Sequence, residues 1–314
     1  MRPKAGDSRN YFDPNVLSEL GGLELRARRV MEGLVAGLHK SPFQGFSVEF
    51  AEHREYAPGD DIRHIDWRVF GRTDRYYVRT YEQETNFDCY IVVDSSESMQ
   101  FQSDNSPLSK FEYAQILSVA LAWLVVRQRD AAGLTLFDRE VTETIPTANA
   151  PAHLHRLISA VDSARTTETS EIGSSLHSLA RRLPRRGVVL VLSDLFEEHD
   201  RLVSGLKHLR HAGHDISLLQ IVDPAEQDFP YDSPTLFRGM ESLDSHSVDP
   251  RSLAKAYREE FDEFQNRLRF SCQRLGIDQT LVRTNEPVDH AIARCIRARR
   301  QLACLLYTSP SPRD

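Results

Sequence analysis

The sequence predicts an α/β fold: a mostly parallel sheet flanked by helices. From residue 87 onward, short apolar runs alternate with stretches of helical length and periodicity. Strands are predicted at 89–94, 133–137, 187–194, 216–223 and 279–284. Helices are predicted at 108–128, 150–163, 172–183, 198–212, 251–275 and 287–300. Strands that alternate with helices in this way form βαβ units, whose strands lie parallel in one sheet.

The N-terminal part of the chain has a different pattern. A length of 314 residues suggests about two domains at roughly 150 residues each. Residues 16–39 have apolar positions at helical spacing, and 47–85 contains strand-like pieces around a Pro-Gly turn. We therefore predict a helix-plus-strands segment at 1–86 and an α/β domain at 87–303.

The last eleven residues, "CLLYTSPSPRD" at 304–314, have neither helical nor strand periodicity. They resemble the translation of a sequencing adapter, so we set them aside from the fold as non-native. We expect the natural C-terminus to differ from the one printed.

Composition limits the partners and the location. The formal charge of −7, from 39 Lys plus Arg against 46 Asp plus Glu, argues against nucleic-acid binding. Four scattered cysteines favour a reducing compartment. The most apolar stretch, 116–126, is shorter than the roughly 20 residues of a membrane-spanning helix. We expect a cytoplasmic protein with no integral membrane segment; peripheral membrane association stays open.

Two segments interrupt the simple alternation. The stretch "LTLFDREVTETI" predicts an antiparallel hairpin that turns at Asp138. Residues 223–250 are rich in Asp, Pro and Ser, and this composition indicates a surface excursion.

Polar side chains crowd the end of the first predicted strand, in "VVDSSESM" at 92–99. Asp94, Ser96 and Ser98 alternate there, and Glu97 is expected to point away from them. Three interpretations are open at this point: a capped strand-to-helix loop, a nucleophile site, or a cation site of oxygen ligands.

Two later loops offer further oxygen atoms. Asp194 ends the strand "VLVLSD", and Thr169 and Ser170 precede a predicted helix. Loops that follow parallel strands gather at the carboxyl edge of the sheet, and oxygen donors suit Mg²⁺ or Ca²⁺. The candidate metal ligands are therefore Asp94, Ser96, Ser98, Thr169 or Ser170, and Asp194.

This spacing resembles the metal-ion-dependent adhesion site of von Willebrand factor A-type domains. The resemblance implies that both serines bind Mg²⁺ (with Mn²⁺ or Ca²⁺ as alternatives) and that the loop hydroxyl contributes. It also implies that the aspartates act directly or through water, and that an acidic side chain of a partner fills an open position. Here Ser170 stands where threonine is usual and Thr169 lies one residue early, so the third-loop ligand stays open between them.

A longer resemblance joins the segment "EYAPGDDIRHIDWRVFGRTDRYYVRTYEQE" (55–84) to "VVDSSESM", "SDLFE" and "DPAEQDFP". Together they resemble a bacterial family of uncharacterised von Willebrand A-like proteins whose genes accompany MoxR-type AAA+ ATPases. This implies a MoxR-type ATPase, or a client protein, as partner. Within 54–85 we expect ion pairs and an aromatic junction, with a binding face as the alternative; the residues concerned are Arg63, Asp66, Arg72, Asp74, Arg79, Trp67 and Phe70.

No nucleotide-binding, zinc-protease or serine-hydrolase motif occurs in the chain. The leading hypothesis is a non-enzymatic, metal-dependent interaction module that works with an AAA+ ATPase, with no catalytic or cofactor-binding residue. The first alternative is a Mg²⁺-dependent phosphoryl hydrolase using Asp94, which would want a second carboxylate and a phosphate-orienting lysine. The second is a scaffold with a vestigial metal site.

Overall fold

The computed structural model describes most of the chain from residue 87 onward and parts of what precedes it. The described residues are 14, 17, 22–38, 53–55, 70–71, 75–79, 87–166, 171–231, 235–238, 245–248 and 250–297. The chain forms two compact units, one of residues 1–37 with 87–314 and one of residues 38–86.

The strands of the described residues fall into one six-stranded sheet and two two-stranded sheets. In chain order they are β1 (His53–Glu55), β2 (Tyr77–Arg79), β3 (Asp88–Asp94), β4 (Ala131–Phe137), β5 (Val141–Ala148), β6 (Gly187–Ser193), β7 (Asp215–Val222), β8 (Thr235–Arg238), β9 (Ser245–Val248) and β10 (Asp278–Arg283).

The helices follow the predicted alternation. They are α1 (Leu23–Leu38), α2 (Lys110–Arg127), α3 (Pro151–Ser163), α4 (Ile172–Arg182), α5 (His199–His211), α6 (Pro224–Asp228), α7 (Pro250–Leu275) and α8 (288–297), with a 3₁₀ turn at Glu97–Gln100.

The large sheet has six strands in the order β10-β7-β6-β3-β4-β5. Every neighbouring pair is parallel except β4 and β5, which are antiparallel. The predicted mostly parallel α/β fold is confirmed. The predicted hairpin is also found, with Asp138 N donating to Glu140 O in its turn.

β3 lies in the interior of this sheet and is buried along its whole length. Its side chains alternate between two core clusters: Cys89, Ile91 and Val93 enter one, Tyr90 and Val92 the other. A strand buried on both faces reads as a continuous apolar run, which explains "CYIVV". The helices therefore cover both faces, and the carboxyl end of β3 opens onto one edge of the sheet.

The N-terminal helix α1 packs with the α/β unit, although the sequence suggested grouping it with the segment 1–86. Leu23, Ala27 and Val30, at i, i+4 and i+7 spacing, join the core cluster that contains the buried face of α2. An ion pair of 2.7 Å between Arg26 and Glu112 adds a polar contact. In the unit of residues 38–86, β1 and β2 pair antiparallel.

The surface excursion predicted for 223–250 is wrong for its first residues. Asp223, Ala225 and Phe229 are buried. A capping box explains the turn into the short helix α6: Asp223 accepts from Ala225 N, and Glu226 accepts from Asp223 N at 2.8 Å. Residues 223–229 therefore pack at the edge of the core and place Glu226 next to the end of β6.

The outer strand β5 differs from the inner strands in its composition. Most of its side chains are exposed or half-buried, with Ile145 the buried exception. It carries Glu143 and Pro146, and its pairing with β4 has register shifts. Such features are typical of a strand that borders a sheet.

Candidate metal and interaction site

Asp94 is the last residue of β3 and its side chain is completely buried. Its Oδ1 accepts from the Ser96 amide at 2.9 Å, and its Oδ2 accepts from Ser193 Oγ at 2.6 Å. Ser193 ends β6, the strand next to β3. The carboxylate is thus fixed by donors from two adjacent strand ends.

The hydroxyl-rich turn after Asp94 divides into two roles. Ser95 is structural, because both its amide and its hydroxyl donate to Phe137 O at the end of β4, at 2.7 and 2.9 Å. Ser96 and Ser98 instead face each other, with their Oγ atoms 3.1 Å apart. Met99 lies in the 3₁₀ turn and is completely buried, so its side chain anchors the turn in the core. Glu97, in the same turn, is exposed to solvent, as expected.

Asp194 follows β6 directly and lies beside the Asp94 site. Burial, and after it the charge of Asp194, raises the pKa of Asp94 to about 7. Asp194 Oδ1 accepts from Phe196 N at 3.2 Å, and its backbone carbonyl accepts from Gln220. The structure therefore brings Asp94, Ser96, Ser98 and Asp194 to one edge of the sheet, as the sequence predicted; their role as metal ligands stays a prediction.

Sequence reasoning missed two charged residues of this site, Lys110 and Glu226. Lys110 begins α2, and its Nζ donates to Asp194 Oδ2 at 2.8 Å and to Glu226 Oε1 at 2.6 Å. The side chain of Lys110 is only 1% exposed. Burial alone would lower its pKa, but the charges of Asp194 and Glu226 outweigh burial and raise it. Lys110 is thus a buried, charged ammonium.

Thr169 and Ser170, the candidates for the third loop, lie outside the described residues, but residues on either side of them are bound to the site loops. Before them, the Thr166 hydroxyl and the Gln100 side chain are hydrogen-bonded. After them, Gly173 N donates to Glu197 Oε2 at 2.6 Å. Burial raises the pKa of Glu197, although the Gly173 N–H opposes the rise.

The signature segment 54–85 is described only in part. Phe70 and Tyr76 stack with ring centroids 4.5 Å apart. Arg79 lies opposite His53 in the antiparallel pairing of β1 with β2. The ion pairs and junction predicted for Arg63, Asp66, Trp67, Arg72 and Asp74 lie outside the described residues.

The donors present fit a small, hard cation. They are carboxylate and hydroxyl oxygens, which Mg²⁺ prefers. Adjacent ligands of an octahedral ion with Mg–O distances of about 2.0–2.1 Å lie roughly 2.9 Å apart, close to the 3.1 Å between the Ser96 and Ser98 hydroxyls. In the described part of the chain, no three His, Cys, Asp or Glu side chains cluster around a possible metal position.

The fold and this site define an α/β domain with an oxygen-lined site at the carboxyl edge of its sheet. The chain belongs to the family described as "Protein of unknown function DUF58", whose model matches residues 52–270. The predicted membership in a family of uncharacterised proteins is confirmed.

Curated relatives include the uncharacterised proteins Rv1480 of Mycobacterium tuberculosis (strain ATCC 25618 / H37Rv) and Mb1516 of Mycobacterium bovis. Each is 25% identical over 245 residues, which cover 76% of this chain and 75% of the relative.

Similar solved structures include the conserved hypothetical protein BatB from Bacteroides thetaiotaomicron, with 14% identity and a TM-score of 0.45 over 69% of this chain and 99% of that one. The SpRpn10 VWA domain gives 10% identity and a TM-score of 0.41 over 66% of this chain and 94% of that one. We take the fold from the strand order and directions described above. Among the helices of the described residues, none has the length and apolarity to span a bilayer.

Proposed function

We propose that this protein is a metal-dependent protein-interaction module. Asp94, Ser96 and Ser98 would hold Mg²⁺, with Asp194 directly or through water and a hydroxyl of Thr169 or Ser170 as further ligand. An acidic side chain of a partner would complete the coordination. Mg²⁺ retains exchangeable water ligands, and such a position is where a carboxylate of a second protein can enter.

The observation that supports this proposal best is the arrangement at the end of β3. A completely buried carboxylate, Asp94, stands beside a second carboxylate, Asp194, with the Ser96 and Ser98 hydroxyls adjacent. Two neighbouring carboxylates disfavour each other's ionisation, and a cation relieves this repulsion. A loop that only capped a helix would need a single acceptor.

The environment of Lys110 favours an interaction module over a phosphoryl hydrolase. A hydrolase that uses Asp94 would need a cation free to orient the phosphate. The Lys110 ammonium is buried and held by two carboxylates, so it is not presented to a phosphate. The aspartate–serine pattern instead offers ligands for a metal that a partner can share.

The proposed partner is a MoxR-type AAA+ ATPase or the client protein that it remodels. The support for this partner is the resemblance of residues 55–84 and the site motifs to proteins whose genes accompany such ATPases. An adaptor that binds an acidic residue of a client through Mg²⁺ can release the client when the ion dissociates or when the ATPase remodels the client.

The test measures Mg²⁺ and Mn²⁺ binding by calorimetry and pull-down of a MoxR-type ATPase from the same organism. Asp94→Ala should abolish metal binding and metal-dependent capture while the circular-dichroism spectrum stays unchanged. Ser96→Ala and Ser98→Ala should weaken both. Glu97→Ala is the matched control, because Glu97 lies in the same turn but is exposed, and it should bind as the wild type does. Capture of the partner that ignores both chelator and Asp94→Ala would refute the proposal.

A further inference from the structure

The buried ammonium of Lys110 is shared between two carboxylates that come from distant parts of the chain. Asp194 follows β6 and Glu226 lies in α6, and each accepts one hydrogen bond from Nζ. Glu226 is held in place independently, because its Oε2 accepts from the Asp223 amide in the capping box. The position of Lys110 is therefore set by both acceptors.

Two aromatic rings enclose the same ammonium. Nζ lies 5.8 Å from the ring centroid of Phe101 and 5.3 Å from that of Phe196. Faces of aromatic rings attract cations, most strongly where water is excluded. Little water screens the ammonium, because the Lys110 side chain is only 1% exposed, so its charge acts strongly on Asp194.

We propose that Lys110 is a resident cation that limits the affinity of the Asp94–Asp194 site for a divalent metal, and that Glu226 tunes this effect by drawing the ammonium partly away from Asp194. The inference rests on the proposed function. Its physical basis is charge: the ammonium offsets part of the negative charge that would attract the metal, whereas Glu226 restores part of it.

The consequence is a coupling between metal and partner. A site partly neutralised by Lys110 holds its metal weakly in the free protein, and the carboxylate of a bound partner supplies the negative charge that Lys110 removes. By linkage, the partner must raise metal affinity by the same factor as the metal raises partner affinity. The metal then stays mainly where a partner is bound.

Opposite shifts in two variants test the inference. Lys110→Met removes the positive charge, and we expect it to tighten Mn²⁺ binding by at least about tenfold, because a unit charge a few ångströms from a divalent ion has that effect even at the dielectric constant of water. Glu226→Gln leaves the ammonium to Asp194 alone, and we expect it to weaken Mn²⁺ binding by about threefold to tenfold. Gln can still accept at the capping box. The measurement is calorimetric titration with Mn²⁺ at pH 8 on the full chain.

Matched controls come from an ion pair at the opposite edge of the sheet. Arg210 and Asp215 lie 2.6 Å apart, and Asp215 begins β7, whose far end is about 23 Å away at the rise of an extended strand. Arg210→Met and Asp215→Asn make the same charge changes and should leave the Mn²⁺ affinity unchanged.

A merely structural role would weaken metal binding in both site variants, because each breaks a buried ion pair. That result, or no shift in either, would overturn the inference while Asp94→Ala still abolishes binding. If Lys110→Met does not fold, the double variant Lys110→Met/Glu226→Gln replaces it, and it must bind Mn²⁺ more tightly than Glu226→Gln alone. A wild-type protein that binds no Mn²⁺ would refute this inference and the proposed function together.

Discussion

At the scale of single residues, Asp94 is a carboxyl group that water cannot reach. Burial first, and then the charge of Asp194, raises its pKa from an ordinary value of 3.8 to about 7. A carboxyl group that binds its proton more tightly in the folded state than in the unfolded state lowers the free energy of unfolding when it ionises. Without metal, the protein is therefore expected to lose stability as pH rises from about 4 to about 7.

The variant Asp94→Asn is expected to remove this pH dependence, because the amide does not ionise. In chelator, the melting temperature of the variant should exceed that of the wild type at pH 8, and the difference should shrink towards pH 4. The corresponding difference in the free energy of unfolding is on the order of a few kcal/mol, at about 1.4 kcal/mol per pKa unit. Thermal unfolding across pH measures it.

Glu97→Gln is the control for this prediction. Glu97 is an exposed carboxyl in the same turn, and its neutralisation should change the melting curve little at any pH. A wild-type stability that rises between pH 4 and pH 7 in parallel with the Asp94→Asn variant would contradict the prediction.

At the scale of elements, the loop after β6 presents an aromatic side chain beside the site. Leu195 is completely buried and has a positive φ of 61°, a conformation that costs a non-glycine residue about 1–2 kcal/mol. Its amide donates to Ser193 Oγ at 2.9 Å. This turn places Leu195 in the core and leaves the next residue, Phe196, 40% exposed.

We predict that Phe196→Ala weakens partner binding by about 1–3 kcal/mol, as for an aromatic residue central to an interface. Metal affinity should change much less, because Phe196 contacts Asp194 through its backbone amide, which alanine retains, and its ring contacts Lys110 and not a proposed metal ligand. Phe270→Ala is the control, since Phe270 is 61% exposed on α7 and distant in sequence from the site loops. Equal losses from both variants would show that Phe196 has no special role.

The helices α4 and α5 pack closely at two glycines. A Cβ atom on Gly205 would lie 2.6 Å from the Gly173 carbonyl oxygen, and one on Gly173 would lie 2.5 Å from Arg201 O. Both obstacles are backbone atoms, so the helices would have to separate. A separate hydrogen bond, from Gly173 N to Glu197 Oε2, holds the start of α4 close to the loop after β6.

Gly205→Ala is therefore expected to destabilise the protein. Overpacking typically costs about 1–3 kcal/mol, which outweighs the gain of up to about 1 kcal/mol from the better helix former. Denaturant unfolding measures the change. Gly71→Ala is the control, because a Cβ there meets nothing within 4 Å; a stabilised Gly205→Ala variant would contradict the packing argument.

At the scale of the whole molecule, the N-terminal helix α1 is part of the α/β unit. Val30 is completely buried in its core cluster. Val30→Asp should destabilise the protein by more than about 3 kcal/mol, because it places an unpaired charge in the core. Arg28→Asp introduces the same residue at an exposed position of α1 and should change the melting temperature little. Similar melting temperatures for the two variants would show that α1 is dispensable.

The sequence was sufficient to predict the mostly parallel sheet and the convergence of Asp94, Ser96, Ser98 and Asp194 at its edge. Strands such as "CYIVVD" are short apolar runs because they are buried on both faces, and this local pattern needs no long-range information. Asp94, Ser96 and Ser98 were also predictable, since they share one turn, and Asp194 was predictable because parallel strands end at a common edge.

The ionic part of the site was not predictable in the same way. Lys110 at the start of a helix looks like an exposed flanking charge, and only partners 84 and 116 residues away make it a buried ammonium. A local signal did exist for Glu226: the order Asp223-Pro224-Ala225-Glu226 fits a capping box with Pro at the first helical position. This pattern could have corrected the prediction of a surface excursion.

The outer strand β5 affects whether copies of the protein associate through their sheets at high concentration. A strand from a second copy that added to β5 would need a continuous row of backbone donors, and Pro146 has none to offer. Side chains of Glu143 from two such copies would also repel each other in an antiparallel pairing that placed them face to face. The sheet therefore ends in a strand that resists polymerisation, and fibre growth from this border is disfavoured even at high protein concentration.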